Sequence, residues 1–481
     1  MQVVVLAGLI ASLAMMEYPL SSALRPVSVL TPCIVGVYVL GAAGLTAVNA
    51  LAARRALRKH SGMPPAALKR YGLVAVLVHL WLIGGSCGVL VAGYGAWLLD
   101  VPGLTALPLA PKLAAAGPFL VALVGVWAAG YPFYRAFRRA AGARAWGLRE
   151  YLAYNVRHHL LFILVPVSLI IAGQDALWLY VAPDASATGW AQGAFAVAAV
   201  GWAGVVFLIA PVLIVRVWRT RPLGRSPVRD ALETMSERLG LRFRDVREWL
   251  SSGAVANAGV MGLTRHVRYV LLSDGLLENM DTDEIKAIFA HEAGHIRGHH
   301  IFYSALFAVS SLVLASIAGQ SLGWALGAGP VSAALLTLLV IVGAFGLGFG
   351  AVSRRFERQC DVVAAWAVGR DLAKRGADRP QGETAAQADG AEPPTEDDPD
   401  RITPVGAAVF AKALQHVARL NGIPATRRNW RHGSIARRVS YVLWLGSRGG
   451  SRREIDRIVR RIKLGTWALA ATAAVLAVIL A

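Results

Sequence analysis

The sequence predicts a mainly α, polytopic helical membrane protein with about nine spans and a small α+β module. Three observations lead there. Of 481 residues, 56% are hydrophobic and only 16% charged, too apolar for an ordinary soluble chain. The apolar residues gather in runs of membrane-crossing length. The basic residues behind the formal charge of +20 fall mostly between those runs, where the positive-inside rule accounts for them, so no nucleic-acid partner is implied. Cys33, Cys87 and Cys360 form no CxxC pair, which leaves neither a disulfide framework nor a cysteine metal site.

Residues 1–225 read as an N-terminal bundle of about six spans. The first run, 2–16, gives only about 22 Å of helix against a hydrocarbon core of about 30 Å. It is read as a retained helix, since no Lys or Arg precedes it and no small-residue cleavage site follows. Longer runs follow near 28–52, 72–98, 115–134, 159–182 and 189–217. Their connections alternate in charge: Arg54, Arg55, Lys69 and Arg70 crowd the second and Arg135, Arg138, Arg139 and Arg144 the fourth, while the third is nearly neutral and the fifth acidic. This places the second and fourth connections in the cytoplasm. His79 stands deep in the third run, where a hydrogen bond to a neighbouring helix is its expected task.

At Ser226 the character changes. Ser226-Pro227 caps an amphipathic helix to about Leu239, and short strands are expected near 241–250, 254–260 and 267–272. Asp281 and Glu284 form a capping box for the next helix, which carries Ala290-His291-Glu292-Ala293-Gly294-His295. Residues four apart share a helix face, so His291 and His295 can offer two imidazoles to one metal ion. Glu292 lies beside them, placed to take a proton from water, which is the division of labour in zinc peptidases. The module spans 226–301.

Two histidines leave a tetrahedral zinc one protein ligand short. His299 cannot supply it, being about 12 Å from His291 along a continuous helix. The metzincin pattern is matched at Gly298 but ends on Ile301, with His300 one residue early. Runs near 302–325 and 330–352 form a membrane hairpin, which returns the chain to the compartment of His291. Just beyond it lies Ser353-Arg354-Arg355-Phe356-Glu357-Arg358-Gln359-Cys360-Asp361. There Glu357 can reach the metal as third ligand, and Asp361, one turn on, can accept the other ring N–H of a ligand histidine. The cytoplasmic part, 353–464, also holds an acidic loop at about 376–402 expected to be disordered, a polar helix near 405–420 and a basic C-terminal segment. Residues 465–481 are a possible last span.

In this order the pieces resemble the M48 zinc metallopeptidases, the Ste24/HtpX-like membrane proteases. The resemblance covers roughly Ser226 to Leu445. It rests on Tyr269-Val270-Leu271-Leu272-Ser273-Asp274-Gly275-Leu276-Leu277, the metal helix through Gly298-His299, and S-R-x-x-E-x-x-C-D, where Cys360 replaces the family's usual alanine. It implies a zincin-like peptidase module with one Zn²⁺ per chain held by His291, His295 and Glu357. Asn257-Ala258 matches the family's Asn-Ala motif on an edge strand, along which substrate would lie as an added strand. His432 and Arg438 match the family's His-Pro motif and its arginine, with Gly433 in place of proline; they would stabilise the oxyanion or hold substrate.

The expectation is an integral zinc endopeptidase of the inner membrane, cleaving polypeptides, membrane proteins foremost, at the cytoplasmic face in processing or quality control. Its partners are the polypeptide substrate and the lipid bilayer. Two alternatives stand beside it: a BlaR-like (M56) membrane sensor, and a non-catalytic membrane scaffold. The family's members carry four or seven spans, so the N-terminal helices have no role assigned by the resemblance.

Overall fold

The structure, a computed structural model, describes residues 1–16, 30–60, 64–104, 106–140, 142, 144–181, 189–253, 255–377 and 398–479. The chain divides into two compact units, Met1–Thr220 and Arg221–Ala481.

The first unit is all helix: α1 (Gln2–Met16), α2 (Leu30–Lys59), α3 (Pro65–Val89), α4 (Gly95–Leu99), α5 (Ala110–Ala140), α6 (Leu148–Asn155), α7 (Phe162–Ala176) and α8 (Gly189–Val217). Leu90–Tyr94 joins α3 to α4 through a kink at Ala92 and Gly93, where Gly93 takes φ +106°, and Val156–Leu161 joins α6 to α7 as a π-helical turn. Val5, Tyr38, Leu82, Phe119 and Leu123 form the core, where the Tyr38 hydroxyl donates to the Leu82 carbonyl at 2.6 Å. Leu40, Val48, Leu77 and Leu80 lie on the outside of the same helices. Helices apolar inside and out suit a lipid solvent, because the helix satisfies its own backbone groups.

Among the described residues, seven helices are long and apolar enough to cross a membrane: Leu30–Lys59, Pro65–Leu99, Ala110–Ala140, Leu148–Leu179, Gly193–Val217, His300–Ala325 and Leu339–Arg375. They coincide with the seven longer runs of the sequence. Neither α1 nor the apolar end of the last helix is among them, so the expected count of nine is not reproduced.

The second unit contains β1 (Thr220–Pro222), α9 (Pro227–Arg238), β2 (Asp245–Trp249), β3 (Ala258–Met261), β4 (Tyr269–Ser273), α10 (Asp274–Asn279), α11 (Thr282–Arg297), α12 (His300–Ala325), α13 (Pro330–Ala377), α14 (Pro404–Leu420), α15 (Ile435–Ser447) and α16 (Arg453–Ile479). The sheet order is β1-β2-β4-β3. β2 runs parallel to β4, Val246 opposite Val270, and β3 antiparallel to it, Gly259 opposite Leu271. β3 is therefore an edge, as expected of Asn257-Ala258, whereas β1 was not foreseen. Every residue of β4 is buried, so this central strand is apolar throughout rather than alternating.

The core of this unit joins Leu232 and Val246 to Ile285 and Phe289 of α11 and to Phe410 and Val442. The helix expected to be polar, α14, in fact buries Phe410, Ala411 and Leu414 along one face; its polar residues occupy only the other. Residues 378–397 of the expected acidic loop lie outside the described residues. Its end, 398–402, is held, contrary to the expected disorder: Asp400 accepts from Arg452 at 2.6 Å and Arg453 at 2.8 Å, and Ile402 is fully buried.

At 48 residues, α13 is about 72 Å long, more than twice the hydrocarbon thickness. Its apolar first half, 330–352, is long enough to span, and the same rod then carries Glu357 and Asp361 past α11. The two helices touch where Gly294 meets Cys360; a Cβ on Gly294 would lie 3.1 Å from the Cys360 Cα and Sγ.

Candidate metal centre and active site

α11 starts where its capping box says it must. Asp281 Oδ1 accepts from the Glu284 N–H at 2.8 Å, and Glu284 Oε2 from the Asp281 N–H at 3.2 Å. Lys412 and His416 of α14 close on the same two carboxylates, tying the helix start to its neighbour. Three turns later His291 and His295 emerge on one face, their rings 5.2 Å apart.

Glu357 of α13 meets them. Its Oε2 lies 3.5 Å from His291 Nε2 and its Oε1 3.6 Å from His295 Nε2. Ligand bonds of about 2.1 Å at tetrahedral angles separate neighbouring donor atoms by about 3.4 Å, so each imidazole stands about one such spacing from an oxygen of the Glu357 carboxylate. The three donor atoms all lie within 4.8 Å of one another.

Proton placement can be read from the far sides of the rings. Asp456 can only accept, so Gln359 Nε2 donates to it at 2.5 Å and Gln359 Oε1 faces His300 Nε2 at 2.8 Å. His300 Nε2 must then carry the hydrogen and its Nδ1 must accept from His295 Nδ1, 3.2 Å away. That leaves the lone pair of His295 on Nε2, toward Glu357. His291 Nδ1 stands 3.0 Å from Asp361 Oδ1, in imperfect hydrogen-bond alignment, and likewise leaves Nε2 for the centre. Both tautomers fit a metal ion. His300, whose ring stacks on Phe356 at 4.1 Å, is thus a hydrogen-bond partner of His295, with its own ring nitrogens turned to His295 and Gln359. His295, His300 and Cys360 also converge, but the two Nδ1 atoms there face each other.

Arg438 of α15 locks the carboxylates. Its Nε donates to Asp361 Oδ2 at 2.9 Å and Nη2 to Oδ1 at 2.6 Å, with Nη2 3.5 Å from Glu357 Oε2. His432 Nδ1 lies 2.7 Å from Glu357 Oε1, although His432 sits in an exposed turn. That turn closes through paired backbone bonds between Asn429 and Gly433, 3.1 and 2.8 Å, while Asn429 Oδ1 accepts from the Arg431 and His432 N–H groups. Gly433 has φ +76°, a conformation closed to proline, so the departure from the family motif is built into the turn.

Charges follow from this packing. Burial works against charge on His291, yet Asp361 and Glu357 carry its pKa up to about 9, so metal binding there displaces the proton on Nε2. Burial and the nearby His291 push His295 down to about 4. Burial, helped by the charge of Glu357, raises Glu292. Arg438 is buried too, but Asp361 and Glu357 hold its guanidinium more firmly protonated than usual.

A cleft of about 780 Å³ opens onto His291, Glu292, His295 and Glu357, with Asn257, His432 and Arg438 on its walls. Asn257 is exposed at the start of the edge strand and Ala258 is buried. The segment is fixed by a residue that carries no sequence signal: Asn421 Oδ1 accepts from the Ala256 N–H at 3.2 Å and its Nδ2 donates to the Ala256 carbonyl at 2.7 Å, imitating a strand neighbour. Asp274 similarly gathers the Ser251, Gly253 and Gly275 N–H groups, which explains its place after β4. Every residue proposed from the sequence therefore lies at this one cleft or directly behind it. Gln359, Asp456, Asn421 and the task of His300 were missed, because each is defined only by a partner distant in sequence.

Residues 222–379 match Peptidase family M48. The chain is 33% identical over 124 residues to a protease HtpX homolog of Aeropyrum pernix, covering 25% of this chain and 38% of that one. It is 27% identical over 176 residues to a CAAX prenyl protease 1 homolog of Arabidopsis thaliana, covering 33% and 41%. It thus spans about two fifths of the length of these curated relatives. The crystal structure of S. mikatae Ste24p shares the fold, with a TM-score of 0.50 at 13% identity over 86% of this chain and 98% of that one. The histidine pair, Glu357 and strands β2 to β4 all fall within the stretch that matches Peptidase family M48, and the chain is similar there to proteases of the Ste24/HtpX kind.

Proposed function

We propose that this chain is an integral membrane zinc endopeptidase that cleaves polypeptides, membrane proteins among them, at the cytoplasmic face. The observation that carries the reading is the meeting of His291, His295 and Glu357 with tautomers set for metal binding, beside Glu292 and an edge strand in one cleft. His291, His295 and Glu357 would hold the zinc, which when bound acts as a Lewis acid toward the substrate carbonyl and the attacking water.

The chain's own groups do the rest. A substrate segment pairs with the free edge of β3 from Asn257 onward, which fixes the scissile bond across the cleft. Glu292 takes a proton from the water as it attacks the carbonyl carbon and returns it to the leaving amine. Its raised pKa suits both tasks, since a weaker acid is a better base and still a competent donor. Arg438 and Asp361 keep Glu357 and His291 in place, and His432 on its turn faces the substrate side of Glu357. A cytoplasmic active site is supported by the basic second and fourth connections, with a role in membrane-protein processing or quality control as the matching use.

The test is cleavage of an unfolded reporter by the purified full-length protein with zinc, wild type against Glu292→Gln. The wild type should cut in a chelator-sensitive way. The variant should retain zinc yet cut about 10²- to 10⁴-fold more slowly. Equal cleavage by both would remove Glu292 from the mechanism. Zinc binding without cleavage by either would favour the sensor or scaffold.

A further inference from the structure

A second cavity, of about 380 Å³, opens between α11, α13 and α16, and its lining is strongly basic. Arg297, Arg452, Arg460 and Lys463 face it, against the single carboxylate of Asp456. Arg452 is already paired with Asp400, and Asp456 accepts from Gln359. Among the described residues, no carboxylate lies within 4 Å of Arg297, Arg460 or Lys463. Burial disfavours the charge of Arg297 and of Lys463, and Arg452 adds repulsion at Arg297. Cations held together at a cost need an anion, and forked guanidinium groups beside an ammonium suit phosphate oxygens.

The position of the cavity says which phosphate. α12, one of the seven membrane-length helices, begins at His300, two residues after Gly298 in the cavity wall, and the apolar part of α16 begins just after Lys463. The Phe302 and Trp467 rings meet there at 5.9 Å, and Lys463 lies over the Tyr303 ring at 5.0 Å. Trp467 and Leu464 are exposed beside them. Exposed Trp with Tyr and Lys, at the start of apolar helices, marks the headgroup level of a bilayer. We infer that this cavity binds the phosphate of an anionic lipid headgroup, whose acyl chains lie along the exposed apolar faces of α12 and α16. The site is separate from the substrate cleft and is independent of whether the chain cleaves peptides.

The test uses full-length protein in mixed micelles of phosphatidylcholine and phosphatidylglycerol, read by native mass spectrometry. The wild type should retain phosphatidylglycerol over phosphatidylcholine, one molecule in preference to the rest. The double variant Arg460→Gln/Lys463→Gln should lose that preference by about thirtyfold, each cation near the surface contributing about fivefold. Lys463→Arg, which keeps the charge, should retain it. Melting temperature and zinc content are followed in each variant, so that loss of lipid without loss of fold is seen directly. Retention of phosphatidylglycerol by the double variant would overturn the assignment. So would a wild type that takes up inorganic phosphate but shows no preference between the two lipids, since the anion would then be soluble.

Discussion

α11 and the turn 429–433 both deliver a histidine to Glu357, and they do so by opposite means. α11 is a local structure: capping box, helical spacing and motif are all contained in sixteen residues of the helix and its cap. The turn is held by Asn429, by the positive φ of Gly433 and by the Glu357 carboxylate of a helix more than seventy residues earlier. A helix carries its own geometry in its hydrogen bonds, while a turn borrows its geometry from what it touches. The helices that carry His291, His295 and Glu357 should therefore tolerate distant change, and the turn that carries His432 should not.

Breaking the α11–α13 junction is the severest test of that contrast. Asp361→Asn leaves Arg438 half-paired and weakens the hold on His291; metal affinity, measured by chelator competition, should fall about 10- to 100-fold with the helices intact by circular dichroism. Gly433→Pro removes the N–H that donates to Asn429 and forbids φ +76°, so it should release His432, cutting kcat/KM by about tenfold, at a strain of about 1–3 kcal/mol, while metal affinity changes little. An equal loss of metal would show that the turn builds the centre rather than its substrate side.

Asn421→Ala leaves the Ala256 N–H and carbonyl without their partner, about 1–3 kcal/mol in stability, and should raise KM more than it lowers kcat by loosening the edge strand. The smallest effect is expected at Asp400→Asn. Arg453 first, and then Arg452, hold the Asp400 carboxyl below its usual range. A depressed folded pKa gives stability that is present above the unfolded value, about 4, and lost as pH falls through the folded one. The wild type should therefore melt above the variant near neutral pH, by at most about 1 kcal/mol, with the gap closing below about pH 4.

Legibility in the sequence followed the same division. The long apolar helices, the capping box of α11 and the pair His291 and His295 are readable because period and spacing encode them directly, while Glu357 and Asp361 stand out only through their place in the ordered S-R-x-x-E-x-x-C-D resemblance. The sequence makes α14 look polar because four charged or polar side chains, Lys412, Gln415, His416 and Arg419, obscure an apolar stripe, and the acidic composition around Asp400 hides its ordered end.

The sequence alone determined the apolar helices and the histidine pair on one face, and it placed Glu357 just past an apolar run; that one helix carries both is a finding of the structure. Only the tertiary structure decided which ring nitrogen faces the centre, because that follows from Asp456, Gln359 and His300 on three separate helices. It also decided that Asn421 completes the edge strand and that four cations share one cavity. Hydrogen bonds within a helix are set by neighbours in the chain. Proton placement and charge clustering are set by neighbours in space.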